Sequence, residues 1–225
     1  MRVSDKQLAY LGAMGIQVWQ ERVQHEEPAA KASTETIEAH SLAELYQIAS
    51  TCQRCHAGNL RKHVVFGEGP EQAEWLIVGD FLTEQDEKQG LSITDQCAHL
   101  LSEMLSAVGC NKTTVYLTNS VKCRSANTTT EQIELASCRA YLIRQIERVN
   151  PRVIYVLGEK AAQSLLKSNE PLSALRGKVR AVDDVSKPIV VSHHPRDLLE
   201  TPLAKKQAWT DLQLANEQAT NRYAG

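Results

Sequence analysis

The chain has 225 residues, 42% of them apolar and 23% charged, with a formal net charge of -2. That balance fits a single globular domain with extensions, and it excludes a chain drawn to nucleic acid or membrane by global charge alone. No apolar run approaches the roughly 18 residues that a membrane helix needs.

The opening MRVSDKQLAY lacks the apolar core of an export signal. The expectation is therefore a cytoplasmic protein whose six cysteines are reduced, metal-bound or buried. Residues 1–23 carry a short apolar cluster with Leu8, Leu11, Ile16, Val18 and Trp19, which either folds back or docks on a partner. Residues 24–40 are small, polar and acidic and read as a flexible linker. From Ser41 the sequence becomes periodic. SLAELYQIAS suggests a helix capped by Ser41, with Glu44 three residues on. AEWLIVGD reads as a core strand, QCAHLLSEMLSAVG as an amphipathic helix ending at Gly109, and TTVYLTNSV as a second strand. The helix of TTTEQIELASCRAYLIRQIERVN has an apolar face that includes Leu135, Cys138, Leu142, Ile146 and Val149. PRVIYVLG and KPIVVSHHP supply two further strands, with the helix EKAAQSLLKS between them. The last helix is expected to pack through Ala204, Trp209 and Leu212 or their neighbours.

Alternating strands and helices predict a three-layer α/β/α domain over residues 41–225, around a mostly parallel sheet. Ligands bind beyond the C-terminal strand ends of such sheets, which groups Gly79-Asp80, Thr118-Asn119 and His193-His194 around one crevice. Between Trp75 and Gly90, WLIVGDFLTEQDEKQG runs from an apolar strand into a dense acidic stretch that is either an active-site loop or a charged surface turn.

Cys52 and Cys55 form a CxxC, while Cys123 and Cys138 lie much later, separated by fourteen residues. Four thiolates suit tetrahedral zinc or an iron–sulfur cubane, and spacing alone does not choose between them. Cys97 and Cys110 read as small core residues.

The ordered stretches CQRCHAGNLRKHVVFGEGP, VGDFLTEQDEKQG, VYLTNSVKCRSANTTTEQIELASCRAYL, VIYVLGEKA, ALRGKV, VVSHHPRDLL and KKQAWTDLQ together resemble the iron–sulfur (family 4) uracil-DNA glycosylases. The resemblance runs from about Cys52 to Leu212. It implies a uracil-DNA glycosylase-like fold and a structural [4Fe-4S] cluster on Cys52, Cys55, Cys123 and Cys138, with zinc as the alternative. It also implies that Asp80 positions water, that Asn119 reads the uracil edge, and that His194 faces uracil O2. Arg176-Gly177 matches too, beside the basic Lys178 and Arg180. The first motif departs from the family pattern. Asp80 replaces a glutamate, Leu82 and Thr83 replace a proline and a glycine, and Ser92 and Ile93 replace a proline and a base-stacking phenylalanine. Asp95 and Ala98 stand at later glycines, and Arg196 stands where a small residue is usual. Bulk at glycine positions crowds a site that backbone must approach closely, so these departures imply a degenerate, non-catalytic site.

LAYLGAMGIQVWQER is similar to the N-terminal segment of the psi subunit of the bacterial DNA polymerase III clamp loader, through Leu11, Gly15, Ile16, Trp19 and Arg22. That resemblance implies a peptide docking on the clamp-loader ATPase through Leu11, Ile16, Trp19 and Arg22. It further implies a folded domain that binds chi and so links indirectly to single-stranded-DNA-binding protein. The leading expectation is a non-catalytic psi-like adaptor in DNA replication. The alternative is a divergent glycosylase acting in DNA repair.

Overall fold

A computed structural model describes residues 10, 13–15, 37–111, 113–124 and 131–220. The chain divides into two units, Met1–Lys31 and Ala32–Gly225, and the fold below is that of the second. Leu11, Ile16, Trp19 and Arg22 lie outside the described residues, as do residues 128–130, where the sequence places the start of the long helix.

The first helix, α1 (Leu42–Ser50), begins where expected: Ser41 Oγ accepts the Glu44 N–H at 3.1 Å. Glu44 reaches back one residue further than a capping box would, to the N–H of His40. A short α2 (His56–Leu60) follows. Strand β1 (Trp75–Gly79) is buried at every position, because both faces of the sheet are covered by helices. The remaining elements are α3 (Glu84–Gln89), α4 (Asp95–Ser106), β2 (Val115–Asn119), α5 (Glu131–Val149), β3 (Val153–Leu157), α6 (Glu159–Leu166), α7 (Leu172–Leu175), β4 (Val179–Val182), β5 (Val185–Ser192), α8 (Pro195–Glu200) and α9 (Lys205–Thr220).

The sheet order is β2-β1-β3-β5-β4. The first four strands are parallel, and β4 runs antiparallel to β5 at the edge. Alternation along each strand divides the core in two. Leu76, Val78, Ile154, Val156, Ile189 and Val191 face α1, α5 and α6. Trp75, Ile77, Val153, Tyr155 and Val190 face α4 and α9. Each fully buried Leu or Ile in these layers stabilises the fold by about 1.5–3 kcal/mol. The predicted three-layer α/β architecture with a mostly parallel sheet is therefore present. The apolar face of α5 is buried as expected at Leu135, Cys138, Leu142, Ile146 and Val149.

Two local expectations change. Strand β4 takes in Arg180, in a basic stretch to which the sequence analysis assigns no element, and its positions alternate between exposed and half-buried with none buried. In α9, Trp209 is 43% exposed, and the buried face is Ala208, Leu212, Ala215 and Ala219 together with Asp211. Among the described residues, no helix is long and apolar enough to cross a membrane.

Candidate active site

Parallel strand ends converge on one crevice. Gly79 pairs with Asn119 across β1 and β2, and Leu157 pairs with Ser192 across β3 and β5. Asp80 follows β1, Gly158 follows β3, and His193-His194 follow β5, so strand register brings together residues far apart in sequence.

Asp80 leans across to the start of α6. Its carboxylate accepts the N–H of Ala161, and it lies against Gly158, where an added Cβ would overlap it. Gly158 also holds φ +98°, a conformation that glycine tolerates and L side chains rarely adopt. Burial pushes the Asp80 carboxyl up from 3.8 to about 7; the Ala161 N–H opposes this, Asp197 adds to it, and Arg196 and Lys160 counter it.

Asn119 is 2% exposed at the end of β2. Its Nδ2 donates to the Ser92 carbonyl at 3.0 Å, while its Oδ1 is buried and has no partner among the described residues. Gly79 permits this placement, since a Cβ there would lie 2.7 Å from Nδ2. Beneath the site, the buried Lys122 ammonium donates to Thr118 Oγ1 at 2.6 Å and to the Asn119 carbonyl at 2.7 Å. Burial lowers its pKa to about 7.

His194 caps α8. Its Nδ1 accepts the Arg196 N–H at 3.1 Å, so the ring proton of the neutral form belongs on Nε2. Burial first, then the Arg196 charge, lowers its pKa to about 4. At neutral pH the ring is an uncharged donor. Neighbouring His193 is turned away, with Nε2 2.9 Å from Gln207 Oε1.

The acidic stretch after Asp80 is a helix rather than a loop. Thr83 Oγ accepts the Asp86 N–H, and Asp86 Oδ2 accepts from the Thr83 backbone and hydroxyl, a complete capping box at α3. Asp86 Oδ1 also accepts from Thr94 at 2.8 Å, and Glu87 accepts the Lys62 N–H at 2.9 Å. Both carboxylates are buried, so their work is structural. Leu82 is buried, and Ile93 packs on the Trp75–Leu101 side of the core. Phe81, which the sequence reading passed over, packs beside Val121, Leu135 and Cys138.

The four cysteines sit in one neighbourhood. The Cys138 thiol is hydrogen-bonded to Cys55, which lowers the Cys55 pKa to about 7 and raises that of Cys138. Cys123 lies close enough to feel both Cys52 and Cys55, and Cys52 bonds the Tyr141 hydroxyl. Arg61 and Lys122 bring positive charge alongside. Among the described residues no three His, Cys, Asp or Glu groups stand so as to hold a metal ion. Of the remaining cysteines, Cys110 is buried and Cys97 is partly exposed.

The matched Arg176 is not a free basic residue. Its guanidinium grips Asp211 of α9 at 2.9 and 3.0 Å, and Gly177 N–H adds a third bond to the same carboxylate. An apolar cleft of about 430 Å³ between α4 and β2 is lined by Leu91, Leu101, Leu105 and Val115 among others, and not by Asp80, Asn119 or His194.

Residues 66–213 match the family model described as the uracil DNA glycosylase superfamily. The chain is 30% identical over 186 residues to the type-4 uracil-DNA glycosylase of Archaeoglobus fulgidus, covering 79% of this chain and 92% of that protein. The chain belongs to the type-4 uracil-DNA glycosylase family. Similar relatives include the type-4 uracil-DNA glycosylases of Saccharolobus solfataricus, 30% identical over 179 residues with 76% and 83% coverage, and of Thermotoga maritima, 33% identical over 150 residues with 66% and 78% coverage.

This membership corrects the psi-subunit expectation. The glycosylase match spans most of the folded domain, whereas the psi resemblance rested on about twenty residues at the front. A short peptide of leucine, glycine-isoleucine, tryptophan and arginine carries too little information to outweigh a whole-domain match. The expected clamp-loader ATPase, chi and single-stranded-DNA-binding-protein contacts came from that resemblance alone. Two of the positions that depart from the family pattern have structural tasks: Thr83 caps α3, and the Ser92 carbonyl holds Asn119.

Proposed function

We propose that the protein excises uracil from DNA by hydrolysis of the N-glycosidic bond. The observation that carries this reading is the Asn119 Oδ1, a buried acceptor with no partner among the described residues. Buried polar groups are ordinarily paired, so an orphan acceptor at a strand end asks for a donor brought in from outside. The N3–H of a flipped uracil is such a donor.

In this reading the C1′–N1 bond breaks and its electron pair leaves with the base, placing negative charge on uracil O2. Neutral His194 donates there through Nε2, which is the form its Nδ1 bond and lowered pKa favour. Water adds to C1′ and loses a proton. Asp80 orients that water and takes up the proton, a role suited to a carboxyl whose pKa lies near 7. The test is base release from uracil-containing single- and double-stranded DNA. Release that is abolished in His194→Ala and in Asn119→Ala supports the reading, and no release from the intact protein sinks it.

We propose separately that Cys52, Cys55, Cys123 and Cys138 hold a metal centre, a [4Fe-4S] cluster with zinc as the alternative. The support is the donor chemistry: four thiols from three chain segments gather beside Arg61 and Lys122. Such a centre would supply a covalent tie between the α1–α2 connection, the segment after β2, and α5. Iron, sulfide and zinc analysis of purified protein, with its visible absorbance, decides between them. Protein with neither metal overturns the proposal.

A further inference from the structure

The direction in which the Asn119 amide faces is set by residues from outside its own strand. The Ser92 carbonyl that accepts its Nδ2–H belongs to a residue only 3% exposed and gripped at two other points. Ser92 N–H donates to Glu68 Oε1 at 3.3 Å, and its hydroxyl donates to the Leu117 carbonyl at 3.3 Å. Glu68 in turn exchanges two backbone hydrogen bonds with Leu117, each 2.8 Å. Leu117 lies on β2 two residues before Asn119. Glu68, Ser92 and β2 thus form a closed clip around the amide.

A carboxamide has an acceptor end and a donor end, and a half-turn of its terminal bond exchanges them. With the amide reversed, Oδ1 would face the Ser92 carbonyl, and two acceptors would oppose each other in a buried place. The clip therefore favours the form in which Oδ1 is free and the second Nδ2 proton lies beside it. An imide edge, with a ring N–H next to a carbonyl, matches that pair. Cytosine, with a bare ring nitrogen next to an amino group, presents the reverse.

We propose that Glu68 and Ser92 are positioning residues that lock the Asn119 amide to accept bases with an imide edge and to refuse cytosine. The substrate side of this inference rests on the glycosylase reading; the lock itself does not.

Glu68 is exposed, and its backbone bonds to Leu117 survive side-chain replacement. Glu68→Gln keeps an oxygen acceptor for the Ser92 N–H, while Glu68→Ala removes it. Two measurements on the full chain separate the parts. In NMR spectra of the free protein, one Asn119 side-chain proton is expected to be protected from exchange in wild type and Glu68→Gln, and to lose protection in Glu68→Ala and Ser92→Ala. In base-release assays, kcat/KM for uracil is expected to fall roughly tenfold in the two alanine variants. It is expected to hold in Glu68→Gln, with release of cytosine relative to uracil rising only in the alanine variants. Equal protection of the Asn119 proton in wild type and Glu68→Ala overturns the lock, as does an unchanged preference for uracil. If wild type releases no base but protection changes as expected, the glycosylase reading fails and the lock stands.

Discussion

The Asp80 carboxylate rests on the bare α-carbon of Gly158, two residues that the sequence separates widely and that β1 and β3 bring side by side. Nothing larger than hydrogen fits between them. Gly158→Ala is expected to push the carboxylate off the Ala161 N–H and to strain a backbone held at φ +98°. Uracil release should fall at least about tenfold, because a displaced acid-base group loses its geometry before its chemistry. The strained φ should cost about 1–3 kcal/mol of stability. Steady-state kinetics and thermal unfolding of the same variant read both effects. A variant as active as wild type would show that Asp80 does not need this seat.

The pH dependence of stability follows from two opposing groups. Asp80 has a raised folded pKa, from 3.8 to about 7, so the folded state holds its proton where the unfolded state has lost it. Its contribution is present below about pH 4 and is lost as pH rises toward 7. His194 has a folded pKa lowered from 6.5 to about 4, so its contribution is present above pH 6.5 and is lost as pH falls toward 4. Between pH 4 and 6.5 the two slopes have opposite sign and partly cancel. Relative to wild type, Asp80→Asn should turn the slope through this window toward stability rising with pH, the His194 direction, against the raised Asp211 carboxyl that remains. His194→Ala should expose the Asp80 slope, with stability falling. Urea unfolding at a series of pH values measures both, and parallel curves for the two variants would refute the assignment.

Much of this arrangement was legible because apolar runs and helix faces are written directly in residue types. β1 and β3 are unbroken apolar strands, and every named apolar position of α5 is buried. Strand β4 was not legible, since an edge strand with exposed valine and alanine positions and no buried one resembles a loop. Trp209 looked like the anchor of α9, but small alanines allow that helix to lie close to the sheet, leaving the indole outside. Strand ends group Asp80, Asn119 and His194 in the sequence, and strand register brings those ends together; the roles expected of them come from the family resemblance. Ser92 was missed as a supporting residue because its backbone carbonyl does the holding, and a carbonyl leaves no mark on residue identity. The error about the N-terminal segment has a different origin, in weighing a short resemblance against departures whose residues had taken other structural tasks.

Arg176 and Asp211 show how a hydrophobic reading overlooks a buried charge. Asp211 is fully buried, and Arg176, Gly177 and the Gln207 carbonyl complete the junction between the β4 turn and α9. Burial pushes the Asp211 carboxyl above its ordinary value despite the arginine, so desolvation outweighs the attraction. Removing one partner is costly all the same. Arg176→Ala should destabilise the protein by about 3–5 kcal/mol by leaving a buried carboxylate without its counter-charge. Trp209→Ala, at an exposed position on the same helix, should cost less than about 1 kcal/mol. Chemical denaturation of the two variants side by side makes the comparison, and equal losses would contradict it.

Asp86 and Glu84 divide the acidic stretch into structural and solvated halves. Asp86 is 4% exposed and bonds Thr83 at backbone and hydroxyl and Thr94 at its hydroxyl, joining the start of α3 to the start of α4. Between them lies Ser92, whose carbonyl holds Asn119. Asp86→Ala is expected to cost about 2–4 kcal/mol, since it removes a cap and strands two hydroxyls in a largely buried place. It should also loosen Ser92 and raise KM for uracil-containing DNA. Glu84 is exposed and paired with Lys88 at 2.7 Å, a surface i,i+4 contact that water and salt screen. Glu84→Ala should leave both the melting temperature and KM unchanged. Melting curves and base-release kinetics on the two variants test the division. A larger effect from Glu84 than from Asp86 would mean that the acidic stretch acts through its charge and not through its bonds.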